Sequence, residues 1–393
     1  MKTDVVIIGG GIVGCATAYY LAKRGVHVIV VEKNAGVGLE ASGCNGGGVR
    51  QNGRKAMLPI AIESVRIWEE LAKELESDLE YVQTGNINIA IDKETENALE
   101  NEVTWEKDHG LNDVRMLSAK ECHVIVPGLT NLAVAGKICS TDGVANPMLV
   151  SPAFAKAGRR LGVKFKLNSK VTSLLIQGLK VCGVQTDSEE IESDIVVNAA
   201  GPWAAQFSEQ VGCTMPIFPG RSQLMITERL SHNSINLWVS VRGYGYMRPT
   251  SSKNLVLGTG GVQNDIFSRH IDWQIVKIQS EYWSSFFPWL NDVAIIRMCA
   301  AITEYTPDGY PYIGAVSGIN GFYVAAAFHG EGFCTGPMVG KTIANLVLGE
   351  KPEVAIDPFH PNRFDQLIKE KKPIPEVVYP FDKMFKIPLD KTV

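Results

Sequence analysis

Gly9, Gly11 and Gly14 stand in a G-x-G-x-x-G spacing, and Glu32 follows the last of them by 18 residues. Those residue types at those intervals suit the binding of a dinucleotide. The first glycine permits a tight turn, the second lets the backbone touch a pyrophosphate, and the third lets a helix pack closely on a strand. The amides around Ile12 and Val13, at the positive end of that helix, would hold the phosphates. An acid roughly 20 residues on hydrogen-bonds a ribose 2′-hydroxyl. Glu32, with Lys33 beside it, is placed for that role. A carboxylate there disfavours a 2′-phosphate, and with it NADP.

This chemistry needs a βαβ unit to position it. Val5 to Ile8 is a short, β-branched apolar run that suits a strand buried on both faces. A helical stretch runs to Arg24, Gly25 stops it, and His27 to Val31 forms the second strand. The competing readings are a glycine-rich turn in an ordinary buried sheet and a signal peptide. Asp4 and the shortness of the apolar run argue against the latter.

A second unusual stretch runs from Gly36 to Arg50. Gly43, Gly46, Gly47 and Gly48 place four glycines in six positions, which no stable helix or strand tolerates. They let the backbone approach something flat or charged. Ser42 and Asn45 offer hydrogen bonds, and Arg50 is the first cation after the loop. Its place after the ribose acid favours a cofactor loop over a mobile surface loop.

Farther along, the patterning predicts helices over Leu58–Leu75, Lys93–Gly110, Ser118–His123, Pro147–Leu161, Trp273–Phe286 and Met338–Leu348. Strands are predicted over 84–91, 163–167, 171–176 (opening on Val171), 178–186, 194–199, 222–227, 237–241, 243–248, 255–258 and 322–326. The buried strand ending at Ala199 and the Gly201-Pro-Trp203 turn belongs beside the first unit, which brings Gly201 near the cofactor. A third glycine turn, Phe328 to Pro337, precedes the last helix, and its Gly330, Gly332 and Phe333 are cofactor candidates. The fold class is α/β: a Rossmann-like nucleotide domain (1–83, 145–215, 309–360) with an inserted antiparallel-sheet substrate domain (84–144, 216–308). Residues 361–393, with several X-Pro steps, read as an extended tail.

Bulk properties exclude several classes. The chain has 393 residues, 45% of them hydrophobic and 20% charged, and a net charge of −4. No dense Lys/Arg block suggests nucleic acid. No apolar run approaches the roughly 20 residues of a membrane helix. Eight cysteines lie scattered without C-x-x-C pairs, and seven histidines show no metal-ligand spacing. These point to a cytoplasmic protein without a metal, any membrane association coming through partners.

Taken together, these stretches resemble the D-amino-acid-oxidase-like superfamily of FAD enzymes. The motifs are Gly9-x-Gly11-x-x-Gly14 with Glu32, the 41–50 loop, Val197-Asn-Ala-Ala-Gly-Pro-Trp203, Thr306-Pro-Asp-Gly-Tyr-Pro-Tyr-Ile-Gly314 and Gly330-x-Gly332-Phe333. The resemblance implies FAD and oxidation of a carbon–nitrogen bond in an amino or imino acid. Within the superfamily the chain is most similar to β subunits of heteromeric amine dehydrogenases of the proline, hydroxyproline, opine, hydrogen cyanide synthase and sarcosine oxidase types. That implies partner subunits that accept electrons, and leaves room for FMN at a subunit interface. Three positions depart from relatives. Ala301 stands where monomeric sarcosine oxidases attach flavin through cysteine, so non-covalent FAD is expected. Val256 replaces an oxygen-activating lysine, and Thr303 replaces the carboxylate-binding arginine of glycine oxidase.

Flavin carries the hydride chemistry, so the protein has only to bind, orient and tune. Arg50 is the first candidate for a substrate carboxylate. Tyr246 matches a substrate-binding tyrosine of glycine oxidase, and Arg248 shares its face by strand alternation. His329, in the last glycine turn, could handle protons. Two rivals remain: a stand-alone oxidase of glycine, sarcosine or a D-amino acid, and a flavin scaffold that turns over no amine.

Overall fold

The computed structural model describes residues 1–51, 55–231, 235–241, 245–263 and 267–377. Its central sheet has six strands in the order Tyr312–Ala315, Phe322–Ala326, Ile195–Asn198, Val5–Ile8, Val28–Val31, Lys164–Lys166. The last four strands and Phe322–Ala326 are parallel, and only the Tyr312–Ala315 edge runs antiparallel. Val5–Ile8 lies in the middle with all four residues buried. Alternation sends Val5 and Ile7 into one core and Val6 and Ile8 into another. The continuous apolar run is thus the signature of a strand covered on both faces.

Helices Ile12–Ala22, Leu58–Glu74, Pro147–Arg160 and Gly332–Val347 cover one face. A three-stranded sheet, Val171–Gln177, Lys180–Thr186 and Glu190–Glu192, covers the other. The first and last of those helices pack unusually close. A Cβ on Gly340 would lie 2.5 Å from Ala16 Cβ and 2.8 Å from the Thr17 amide.

The second sheet has nine strands, all drawn from residues 86–139 and 218–305. Its back is packed by helix Trp273–Phe286, whose Tyr282, Trp283 and Phe286 enter a separate core. On its front, Tyr246, Gly258, Leu224 and Cys299 form one cross-strand row. A short ladder, Gly48–Val49 with Gly143–Val144, ties the glycine loop to the chain near this front.

Several elements differ from the sequence expectation. The last helix starts at Gly332, six residues before Met338, so the third glycine turn is itself the helix start. Strands Val114–Ser118, Ala135–Cys139 and Glu190–Glu192 carried no clear pattern. Nor did Ile295–Tyr305, the longest strand, because its first half is exposed and its second half buried on both faces. The tail is not simply extended. Asp365–Lys369 is helical, Phe364 is buried, and Arg363 stacks on Tyr312 at 4.0 Å while binding Asp308. The part of the expected tail from 378 onward, and residues 243 and 244 of an expected strand, lie outside the described residues.

Replacing Gly340 by Val should force the two helices apart. Overpacking of this kind costs about 1–3 kcal/mol, and urea unfolding should read a midpoint lowered accordingly.

Candidate functional site

The carboxyl ends of the parallel strands converge at Gly9, as ligand sites in open α/β sheets do. Gly9 has φ +104°, and a Cβ there would sit 2.5 Å from the Ala199 carbonyl oxygen. A Cβ on Gly14 would lie 2.0 Å from the Gly9 carbonyl oxygen. No side chain fits at either place. The bare turn therefore delivers the first helix, Ile12–Ala22, with its amino end facing a long cleft. Gly11 gives that helix no side-chain cap, and Ser42 Oγ accepts from the Ile12 amide at 3.0 Å. Ser42 thus completes the helix end as well as walling the cleft.

Glu32 is buried, and its two carboxylate oxygens accept from the Gly10 and Asn34 amides at 2.7 and 2.8 Å. Each oxygen keeps lone-pair capacity for a hydroxyl. Asn45 turns inward on its own loop, donating to the Ala41 and Ser42 carbonyls and accepting from the Gly47 amide. Lys33 Nζ sits 3.1 Å from the centre of the Trp203 ring, and Phe267 packs tilted against that ring.

Fifteen expected residues wall this cleft: Gly9, Gly11, Ile12, Val13, Glu32, Lys33, Ser42, Asn45, Val171, Ala199, Gly201, Trp203, Gly330, Gly332 and Phe333. Gly14, Gly43, Gly46 and Gly47 are not among its lining residues. Sequence reasoning missed Leu39, Ser169, Lys170, Gln206, Phe207, Glu304 and Phe328 among the lining residues. Their positions, at a strand end, in a one-turn helix and in turns, carry no spacing signal.

Arg50, Tyr246 and Arg248 gather at the front of the second sheet rather than on the cleft wall. Tyr246 stacks on Trp238 with centroids 4.4 Å apart, and the Arg50 guanidinium lies 4.7 Å from the Trp238 ring. The glycine loop exists to admit them. A Cβ on Gly46 would strike the Tyr246 and Trp238 rings, one on Gly47 would meet Arg248 Nη2, and one on Gly48 would meet Trp238 and Arg50. The flat and charged bodies the loop approaches are the protein's own. Arg248 is 6% exposed, and it donates to the Gly46 carbonyl through Nε and to the Pro249 carbonyl through Nη1. Burial lowers its pKa to about 10, so it is still a cation at neutral pH. Glu80 acts on its charge electrostatically, although no ion pair of Arg248 with a described carboxylate is seen within 4.0 Å. Val256 is its cross-strand neighbour.

His329 stands apart from that group. Its Nε2 accepts from the Thr306 amide at 2.7 Å, and its ring meets Tyr305 edge-on. Ala327 and His329 both adopt left-handed φ, +65° and +55°, in the turn that leads into the last helix. Such residues store strain that the surroundings must over-determine. Glu304, unforeseen from the sequence, lies inside the cleft. It accepts from the Phe328 amide at 3.4 Å, and burial raises its carboxyl to about 7 against the lowering effect of that bond and the Ala327 amide.

The bare backbone at Gly9 and Gly11, the open helix end and the buried acid Glu32 fit a dinucleotide. Among the described residues no group of His, Cys, Asp or Glu could hold a metal, and no helix is long and apolar enough to cross a membrane.

A family model described as DAO, FAD dependent oxidoreductase, matches residues 4–346. The chain is 26% identical to glycine oxidase of Pseudomonas aeruginosa, covering 92% of this chain and 99% of that one. It is also 26% identical to hydrogen cyanide synthase subunit HcnC of the same organism, at 92% and 96% coverage. It spans only 45% of the rat mitochondrial dimethylglycine dehydrogenase, at 25% identity. The solved structure of L-proline dehydrogenase from P. horikoshii superposes with a TM-score of 0.88 over 93% of this chain and 98% of that one, at 29% identity.

A carboxyl whose folded pKa is raised binds an extra proton in the folded state between its unfolded and folded values. Stability is therefore lost as pH rises from about 4.5 toward 7. With cofactor removed, Glu304→Gln should gain on wild type between pH 5 and pH 8, by up to about 3 kcal/mol at 1.36 kcal/mol per unit. Urea melts across that range measure it.

Proposed function

The chain belongs to the FAD-dependent oxidoreductase family, and from that premise we propose that it dehydrogenates the carbon–nitrogen bond of an amino or imino acid. The observation that carries the substrate class is Arg248. A buried cation is costly unless an anion pairs with it. A substrate carboxylate meeting Arg248 supplies that anion, and a guanidinium can bind it bidentately. The names of the relatives agree with such a substrate: glycine oxidase and L-proline dehydrogenase.

The roles we assign follow from this placement. Gly9, Gly11, Ile12, Val13 and Glu32 hold the adenosine diphosphate end of FAD, and Gly330, Gly332 and Phe333 approach its other end. Bound FAD supplies the two-electron acceptor for the hydride that leaves the carbon bearing nitrogen. Arg248, not Arg50, is the primary carboxylate anchor, because Arg50 is already engaged with Trp238. Tyr246, held flat between Trp238 and the glycine loop, shapes the substrate side. His329 positions the turn before the last helix through its bond from Thr306.

Electrons leave for a partner protein in this reading. Val256 stands beside Arg248 where related oxidases carry an oxygen-activating lysine, and a relative is named as a subunit of hydrogen cyanide synthase. The second reading, a stand-alone oxidase, is favoured by the full-length match to glycine oxidase. It requires stoichiometric hydrogen peroxide from the isolated chain.

An anaerobic screen of amino acids, cyclic imino acids and opines should find at least one that bleaches the flavin absorbance. If none does, the substrate class is wrong. For the substrate found, Arg248→Met should raise KM by at least tenfold, the ~1.5–3 kcal/mol of a charged hydrogen bond, with a smaller change in kcat. Separately, Glu32→Ala should raise the FAD dissociation constant about tenfold, read by flavin fluorescence on dilution, at the same ~1.5 kcal/mol.

A further inference from the structure

Glu304 lines the cleft and is 8% exposed. Its strand, Ile295–Tyr305, belongs to the second sheet, where its cross-strand partner is Pro219. The side chain crosses to the nucleotide half, and Oε1 accepts from the Phe328 amide at 3.4 Å. Phe328 comes just after strand Phe322–Ala326, two places from Val5–Ile8 in the central sheet. Glu32 follows Val28–Val31, one place from Val5–Ile8 on the opposite side. Neighbouring strands lie about 4.8 Å apart, so the Phe328 amide stands roughly 10 Å from the central strand. Two buried acids thus flank the Gly9 turn at the carboxyl edge of one sheet.

We propose that Glu304 holds the flavin half of FAD, its protonated carboxyl donating a hydrogen bond to an oxygen there, so that cofactor binding takes up one proton. The placement sets which half. With the adenosine ribose at Glu32 and the phosphates at the amino end of helix Ile12–Ala22, the rest of the cofactor leaves on the Phe328 side. Its ribityl hydroxyls and ring carbonyls can accept the bond.

The surroundings keep the carboxyl neutral. A buried carboxylate is costly without a cation beside it. Among the described residues Glu304 is bonded only by the Ala327 and Phe328 amides. Burial outweighs both amides and raises the carboxyl to about 7. Charged groups on the neighbouring elements do not act on it: Arg221 beside Pro219, Lys33 over Trp203, Glu32 across the cleft, and Glu331 in the turn before the last helix. Burial and then Glu304 itself push Tyr305 up, so that neighbour stays a neutral phenol. His329 Nε2 accepts from the Thr306 amide and so carries no proton there. The two phosphates of FAD bring further negative charge to the cleft, which favours the neutral acid still more.

The sign of the linkage follows. Below about pH 6 the free protein already carries the proton, and FAD binding leaves pH dependence flat. Above the value of about 7 the free carboxyl is ionised, a proton must be taken from solvent, and affinity falls as pH rises. The inference needs only bound FAD and is independent of the substrate.

The test titrates the full chain, stripped of cofactor, with FAD by fluorescence between about pH 5.5 and about pH 8.5. The dissociation constant should be level at the acid end and climb toward about tenfold per unit at the alkaline end, the limit for one proton. Proton uptake in weak buffer should approach one per chain at the alkaline end. Glu304→Gln keeps a donor and cannot titrate, so it should bind FAD at the wild-type acid-end affinity throughout, with no uptake. A level wild-type profile, or a slope that survives in Glu304→Gln, overturns the inference while leaving the cofactor site standing. Failure to bind FAD at every pH overturns both.

Discussion

The structure depends on one steric constraint: nothing but hydrogen can occupy the Cα substituent positions at Gly9 and Gly14. The Gly9 carbonyl oxygen sits where a Gly14 side chain would begin, and the Ala199 carbonyl sits where a Gly9 side chain would begin. Strand, helix and neighbouring strand can therefore approach until the helix end faces the cleft with its amides. Glu32 is held at the same edge by two backbone amides. Any side chain at those two glycines would separate the elements that wall this end of the cleft.

The second glycine cluster solves a different problem. Gly46, Gly47 and Gly48 lie against Tyr246, Trp238, Arg248 and Arg50, so a loop from the nucleotide half rests directly on the face of the second sheet. That contact sets a buried guanidinium and two stacked rings against a loop whose Ser42 and Asn45 wall the cleft. Backbone carbonyls of Gly46 and Pro249 orient Arg248 but do not neutralise it. Its charge is thus stabilised by those dipoles and, without an ion pair, by the field of Glu80, which is the condition expected of a carboxylate receptor rather than of a structural ion pair. Lys137 shows the contrast: it is equally buried, yet it is paired with Glu102 and Glu106.

Much of this was legible in the residues. The βαβ unit, the acid at the end of its second strand and the front-facing pair Tyr246 and Arg248 follow from spacing, strand alternation and family resemblance, because each is set by local geometry. The role of the loop glycines was legible only in kind. The sequence implied something flat or charged against them, but not that it would be Trp238, distant in the chain. Glu304 was invisible for a related reason. Its pKa comes from burial between the end of one strand and the turn after another, and neither pattern nor spacing encodes that. Strand Ile295–Tyr305 escaped because its exposure changes midway, which erases any period of two. The last helix was placed late because Gly332, Gly336 and Pro337 look like breakers. In the fold Gly336 makes room for Ile12.

Arg248 awaiting a carboxylate is the central claim about function. A spectral titration of the FAD-loaded protein, comparing a non-reacting carboxylate analogue of its substrate with the corresponding neutral amide, tests it most directly. The account requires the carboxylate to bind and perturb the flavin spectrum, with the amide at least tenfold weaker, the loss of one charged hydrogen bond. Equal binding of the two would contradict it.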